Sequence, residues 1–437
     1  MTEKITAIMS KLTIVRYFIE LRWLHKYPSR ARLRAYQDRM INRHVAFLRR
    51  TSPYFKDIPK VTSVNELSRL PVMDKQIMMD NFGTMNTVGL DGDEALAIAI
   101  KSEKTRDFTQ TYDGISVGLS SGTSGRRGLF VVSDHERYAW AGTVLAKFLP
   151  KGKLFGHRVA FFLRADNNLY ETVGSHLIKF QYFDIYKDMD ANCQQLSVYK
   201  PTILVAPPSV LSVIADNIDA GELQIAPKKV ISVAEVLDSR DEDRFKAVFR
   251  QDIIFQAYQC TEGFLAYTCH EGGMHLNEDM AVIEKERIDK HRFIPIITDF
   301  RRISQPIIRY RLNDILVEST KACPCGSVMT LIDRIEGRED DIFIFKNSAK
   351  KEVRVYSDMI GRCMLYANGF YEYRVVQTGY NKIVVYIDRM TDVSKTSIKK
   401  EFDQLARRLS FESPHMTFKK YNRDLSKKLK RIERKFK

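Results

Sequence analysis

An α/β protein, with a large N-terminal body and a smaller C-terminal unit, is predicted from three observations. The chain has 437 residues, more than one typical compact core accommodates. Short β-branched or aromatic runs recur between helical segments, the order produced by a sheet covered with helices. A charge-dense, glycine-containing turn, Arg334-Ile-Glu-Gly-Arg338-Glu-Asp340-Asp341, precedes a last stretch with strand and helix signals of its own.

The elements follow in order. Residues 1 to about 50 read as a helical extension, free of proline until Pro28. Ile14, Tyr17, Phe18, Leu21 and Leu24 recur there at helical spacing among basic residues, a pattern that suits a helix packed on the body or touching a membrane. Beyond Pro53, strands are predicted at Val159–Leu163, Thr202–Val205, Lys229–Val233, Ile253–Gln256, Ile294–Thr298, Ile342–Phe345 and Lys382–Ile387. The run from Lys200 to Pro208 fits a buried strand ending in a rigid turn, with a helix starting near Ser209. Open α/β sheets place ligands at such strand ends. The boundary turn divides the chain into 1–338 and 339–437.

Composition narrows the functional classes. Hydrophobic residues at 44% describe a folded protein rather than a disordered one. No apolar run approaches bilayer-spanning length, and the first residues lack a signal-peptide core, so a cytoplasmic location is expected. A net charge of +16 suits a polyanionic partner: nucleic acid, an acidic membrane surface or a phosphorylated ligand. Much of it sits at the two ends, in Arg22 to Arg50 and Lys419 to Lys437, where a solvated basic helix face is the alternative reading.

The run Leu119-Ser120-Ser121-Gly122-Thr123-Ser124-Gly125-Arg126-Arg127-Gly128 concentrates hydroxyls, glycines and two guanidinium groups. Glycines bring backbone N–H groups close to a ligand, hydroxyls donate further bonds, and arginines neutralise phosphate charge. No Gly-Lys-Ser/Thr closes it, which disfavours a P-loop. Taken alone, it also fits an ordinary flexible loop. Further motifs follow in a fixed order: Ala234-Glu235; Ala257-Tyr258-Gln-Cys-Thr261-Glu262-Gly263; Thr298-Asp299; Arg309-Tyr310-Arg311-Leu-Asn313-Asp314; Gly337-Arg338-Glu-Asp340; and Lys427-Lys428-Leu-Lys-Arg431.

This ordered series resembles the adenylate-forming superfamily of acyl-CoA synthetases, peptide-synthetase adenylation domains and luciferases. Within it the series is most similar to the phenylacetate-CoA ligase branch and its deazaflavin-coenzyme adenylylating relatives. The likeness includes Ser52-Pro-Tyr54 and Asp74-Lys75, and runs from about residue 40 to the end. It implies a small mobile C-terminal α+β domain and a set of roles. Ser120 to Gly128 would hold the ATP phosphates. Ala234 and Glu235 would line the adenine slot, and Tyr258 would stack on the base. Thr261 and Glu262 would approach the phosphates, the glutamate through Mg²⁺ as a hard oxygen ligand. Asp314 would take the ribose hydroxyls with Arg338 beside it, and Asp340 would be the hinge. Lys428 would be the catalytic lysine, although Lys427 stands where the family has glycine and either lysine could serve. The double arginine, Arg126 and Arg127, also departs from the proline and lysine of many members. The acyl group would lie between residues 164–170, the Ala206 to Ser209 turn and the strand before Tyr258.

Six cysteines do not form a disulfide framework, and Cys323-Pro-Cys325 in a reducing compartment suggests metal ligation. With Cys269 and His275 it supplies a closed tetrahedral set for structural Zn²⁺, the alternative being unligated thiols. The expected activity is ATP-dependent adenylation of a carboxylic acid followed by transfer to coenzyme A. An amine acceptor, an adenylyl transfer that stops at AMP linkage, or a non-catalytic nucleotide-binding protein with basic ends remain alternatives. Nucleic acid is not an expected partner, whereas peripheral membrane contact is kept open.

Overall fold

The computed structural model describes residues 2–436 except 106, 108, 121–127, 153, 164–177 and 426, with backbone alone over residues 2–10. The chain opens with α1 (Thr2–Ile19), continues through a π-helical turn (Glu20–Leu24), and forms α2 (Arg30–Thr51), whose start is fixed by the Ser29 side chain accepting from the Arg32 N–H. Helices α3 (Lys75–Asp80), α4 (Phe82–Met85) and α5 (Gly92–Thr105) lead to a small sheet of β1 (Thr111–Tyr112), β2 (Ile115–Leu119) and β3 (Leu129–Val132). A Ser133/Glu136 capping box starts α6 (Asp134–Phe148).

The large sheet begins with β4 (His157–Leu163), β5 (Ile178–Asp184), β6 (Ile203–Ala206), β7 (Lys229–Val233) and β8 (Phe255–Cys260). They pair in parallel and are linked in part by α7 (Met189–Tyr199), α8 (Pro208–Asp219) and α9 (Ser239–Phe249). These strands are apolar runs because both faces are covered. Leu204, Ala206 and Val230 pack with helices α7 to α9, while Ile203, Val205 and Ile231 pack on the α6 side. The strand expected at Ile253–Gln256 lies two residues later, at Phe255–Cys260.

Past β8 the expected alternation with helices stops. Strands β9 (Gly263–Thr268), β10 (Met274–Leu276), β11 (Ala281–Arg287), β12 (Arg292–Asp299), β13 (Ile307–Arg311), β14 (Asp314–Glu318) and β15 (Leu331–Arg338) follow with no helix assigned between them, and their pairings are antiparallel. They extend the same sheet in the order β11-β12-β14-β15-β10-β9-β8-β7-β6-β4-β5, with β13 paired to β12. The parallel and antiparallel halves therefore join at the β8–β9 ladder.

After a 3-10 turn at Glu339–Asp341, the hairpin β16 (Phe343–Lys346) and β17 (Glu352–Val355) leads into α10 (Ser357–Tyr366), β18 (Tyr373–Gly379), β19 (Lys382–Ile387), α11 (Asp392–Leu409), β20 (His415–Lys420) and β21 (Ile432–Arg434). The last four strands form a sheet in the order β20-β19-β18-β21. This α+β unit has its own core, from Phe343 and Phe345 to Phe402 and Phe411. Among the described residues, no helix is long and apolar enough to cross a membrane.

Candidate active site

Three cavities meet at Ala234 and Gln259, at the carboxyl ends of the parallel strands. An open cleft of 2370 Å³ separates the body from the C-terminal unit, and a chamber of 610 Å³ lies deeper, beneath Thr261 and Glu262. A third cavity of 130 Å³ runs between α6 and the sheet and is almost wholly apolar. Ala234 follows β7 with φ of +66°, a left-handed conformation disfavoured for a residue with a Cβ. Such a residue persists where its surroundings enforce it, and here it lines all three spaces.

The β2–β3 hairpin fixes both ends of the hydroxyl- and glycine-rich loop. Ser120 N–H donates to the Gly128 carbonyl at 2.8 Å, and Gly128 N–H donates to Ser120 Oγ at 2.7 Å. Lys75 Nζ donates to the same Oγ at 3.5 Å, and a Cβ on Gly128 would stand 3.0 Å from Lys75 Cε. Lys75 arrives there because Met73 pairs with β13, donating to the Arg309 carbonyl at 2.9 Å and accepting from Arg311 N–H at 2.8 Å. Ser121, Gly122, Thr123, Ser124, Gly125, Arg126 and Arg127 lie outside the described residues, as does the 164–170 segment expected at the acyl group.

Strand β8 and its turn carry the next group. The Tyr258 hydroxyl donates to Asp314 Oδ2 at 2.6 Å, and Arg338 Nε stands 3.6 Å from Asp314 Oδ1. Burial, followed by the Asp314 charge, pushes the Tyr258 phenol well above its usual range, so it remains a donor. Its ring packs in the core with Leu265 and Ala266 while also lining the cleft. Thr261 Oγ1 donates to Glu262 Oε2 at 2.9 Å, and Arg302 Nη1 fixes the Thr261 carbonyl at 2.9 Å. Asp299, fully buried below them, is raised to about 6 by burial. A Cβ on Gly263 would approach its Oδ2 to 3.0 Å.

The C-terminal unit enters through residues 428 to 431. Lys428 lines both the cleft and the chamber containing Thr261, Glu262, Asp314 and Arg338. Three consecutive anchors hold it there. Leu429 N–H donates to Glu235 Oε1 at 2.9 Å, Lys430 Nζ meets Asp341 Oδ1 at 2.7 Å, and Arg431 engages Asp241 at 2.7 Å, Asp238 at 3.1 Å and Glu372 at 3.3 Å. Lys427 lines the cleft but not the chamber, 81% exposed and 2.8 Å from Asp424. Glu235 uses its second oxygen to accept from Ser209 N–H at 3.1 Å, so it joins the body to the lysine segment as well as lining the cleft. Asp340, the expected hinge, accepts from Asn313 Nδ2 at 3.2 Å, between β15 and the second core.

The apolar cavity is lined by Ala257, on the expected strand before Tyr258, but not by the Ala206 to Ser209 turn. The Ala206 to Ser209 turn is buried, and Ala206 and Val210 face α7 to α9, across the sheet from this space. Alternation along β6 explains the difference: Ile203 and Val205 face the cavity, Leu204 and Ala206 the helices. Trp140, Val144 and Phe148 of α6 supply the opposite wall, and Trp140 Nε1 donates to Gln259 Oε1 at 3.3 Å at the mouth. Nothing in the sequence marked these α6 residues. Lys75 stood in a quoted motif without a role.

At the β9–β10 hairpin, Cys269, His275, Cys323 and Cys325 bring their ligand atoms within 4.8 Å of one another. Cys269 directly follows β9, His275 lies on the paired β10, and the two remaining thiols come from the loop between β14 and β15. Cys269 Sγ lies 3.6 Å from Cys323 Sγ, and Cys325 Sγ lies 3.3 Å from His275 Nε2. His275 Nδ1 is 3.2 Å from the Met329 carbonyl, which leaves Nε2 to face the thiols. Any Cβ on Gly273 would fall 2.7 Å from Cys323 Sγ. Burial raises the Cys325 thiol to about 12 and lowers His275.

No family model matches the chain. Over 183 residues it is 27% identical to protein CapK of Staphylococcus aureus, a match spanning 41% of this chain and 40% of that relative. Among solved structures, 2-hydroxyisobutyryl-CoA ligase in the postadenylation state, in complex with 2-HIB-AMP, superposes with a TM-score of 0.71. The identity is 17%, covering 93% of this chain and 90% of the ligase. The same ligase in the thioesterification state gives 0.55. The amide bond synthetase McbA from Marinactinospora thermotolerans gives 0.52 at 13% identity, over 71% of this chain and 66% of its own. The chain has the fold of the adenylate-forming ligases.

Proposed function

We propose that the protein adenylates a carboxylic acid with ATP, releases pyrophosphate, and transfers the acyl group from AMP to coenzyme A. The observation that supports this most is the convergence of Lys428, Thr261, Glu262, Asp314 and Arg338 on one chamber that adjoins both an open cleft and an apolar cavity. ATP would enter the cleft with its ribose at Asp314, its base near Ala234 and Tyr258, and its phosphates towards Ser120, Lys75 and Thr261. The acid would place its tail in the 130 Å³ cavity, whose Trp140, Phe148 and Phe161 walls suit a small aromatic or branched aliphatic group.

The carboxylate attacks the α-phosphorus, the bond to pyrophosphate breaks, and Lys428 offsets the charge that develops. Glu262 and the Thr261 hydroxyl form an oxygen donor set that fits one side of an Mg²⁺ ion, which supplies phosphate charge neutralisation when bound. In the second step the thiol attacks the acyl carbonyl and AMP leaves. An amine in place of the thiol would give an amide by the same route. Placement in the phenylacetate-CoA ligase-like branch rests on motif order. The Cys269/His275/Cys323/Cys325 donors suit a structural Zn²⁺ with no open position.

ATP–pyrophosphate exchange over a panel of carboxylic acids, with and without coenzyme A, tests the reading. Acid-dependent exchange and a thioester product are expected. ATP binding without exchange for any acid would leave a non-catalytic nucleotide-binding protein, and exchange without thioester would point to an amine acceptor.

A further inference from the structure

From residue 11 onward, helix α1 has two apolar faces. The inner one packs on α6: Phe18 joins the Phe148 cluster, and a Cβ on Gly142 would fall 2.5 Å from the Ile14 carbonyl and 2.9 Å from Tyr17 Cβ. Arg22 fastens the π-helical end by donating to the carbonyls of Ala146, Leu149 and Pro150 at 2.9 Å each. The outer face carries Leu12, Val15, Ile19 and Trp23, at steps of three and four residues, followed by Leu24. Leu12 is 63% exposed, Val15 51%, Trp23 49% and Leu24 69%. Scattered exposed apolar residues need no explanation, but a contiguous helical stripe does.

Charge identifies what covers it. Exposed Lys11, Arg16 and Lys26 flank the stripe. The only acid between residues 11 and 30, Glu20, turns inward to Arg301 at 2.8 Å and His25 at 3.0 Å. A second copy packed by a two-fold axis would set these cations against their own equivalents, with no acid from this segment to offset them. An anionic surface satisfies the cations and the apolar stripe together, and Trp23 at the stripe's end suits the lipid headgroup boundary. We infer that α1 and its π-helical end form a docking face for an anionic lipid surface, a contact of the peripheral kind in which the helix lies on the bilayer.

Co-sedimentation of the full chain with phosphatidylcholine vesicles, prepared with and without phosphatidylserine, tests this. Binding to the phosphatidylserine vesicles is expected, weakened by salt, and reduced about tenfold or more by the combined changes Leu12→Ser, Val15→Ser and Trp23→Ser. Lys11→Gln with Arg16→Gln, which leaves the apolar stripe intact, is expected to lower binding to the anionic vesicles alone, so the test survives misfolding of the first variant. Equal binding to both vesicle types, no binding at all, or a dimer in sedimentation velocity that the serine changes dissolve would overturn the inference.

Discussion

Lys428 and Lys427 are adjacent and chemically identical, so what separates them is geometry. Lys428 faces the chamber because Leu429, Lys430 and Arg431 are each tied down, whereas Lys427 meets Asp424 at the surface. Lys428→Ala is expected to lower exchange activity by about 10²–10³-fold, the cost typical of removing one charge-stabilising donor, and Lys427→Ala by less than about threefold. Comparable losses for both would contradict the assignment. A second lysine, Lys229, is buried at the start of β7 with Nζ 3.6 Å from the Phe255 ring centre, and burial first, then Arg22, lowers it to about 7. Below that value the folded and unfolded chains both carry the proton. Between about 7 and the model-peptide range near 10.5 only the unfolded chain does, so stability rises with pH across that window. Lys229→Met should flatten the rise and stabilise the protein at neutral pH by on the order of 2 kcal/mol, after allowing for the lost cation–π contact. Chemical denaturation at several pH values reads this directly.

At the scale of elements, the hairpin β9–β10 and the loop before β15 explain why four donors far apart in sequence converge. Gly273 leaves the space that Cys323 Sγ occupies, so Gly273→Val should evict the thiol, abolish stoichiometric zinc and lower the melting temperature by several degrees; metal analysis of chelator-washed protein checks it. This cluster was legible in sequence because cysteine and histidine are rare and the Cys-Pro-Cys turn is distinctive. Strands β7 and β19 were legible with their bounds, each a β-branched run between polar residues. The antiparallel half was read only in part. A strand such as β11, Ala-Val-Ile-Glu-Lys-Glu-Arg, is apolar at one end and charged at the other, and shows neither period cleanly. The apolar cavity was not legible, because its walls come from α6 and five strands whose contact only tertiary packing creates.

For the whole molecule, several charged contacts join the two cores. Arg431 reaches Asp238 and Asp241 on the body and Glu372 on its own unit, and Arg423 reaches Asp216 at 2.9 Å. Arg431 is only 10% exposed, so removing it strands partly buried carboxylates. Arg431→Gln is expected to slow adenylation about tenfold, with thioester formation from supplied acyl-adenylate changed far less if the unit moves between the two steps as the resemblance implies. Equal slowing of both steps, read by exchange and single-turnover thioester assays, would assign Arg431 to folding instead.

The join between β8 and β9 has a consequence for how this protein can be divided. Tyr258 stands on the last parallel strand, and the Asp314 it holds begins a strand of the antiparallel half. The first half holds Ser120, Glu235, Tyr258 and Glu262, while Asp314, Arg338 and Lys428 come from beyond β9. A chain cut in the 269–273 turn would bind nucleotide only after its fragments reassembled, and a shortened descendant could keep the sheet's helical half while losing the chemistry entirely. The proposed activity would need both parts together.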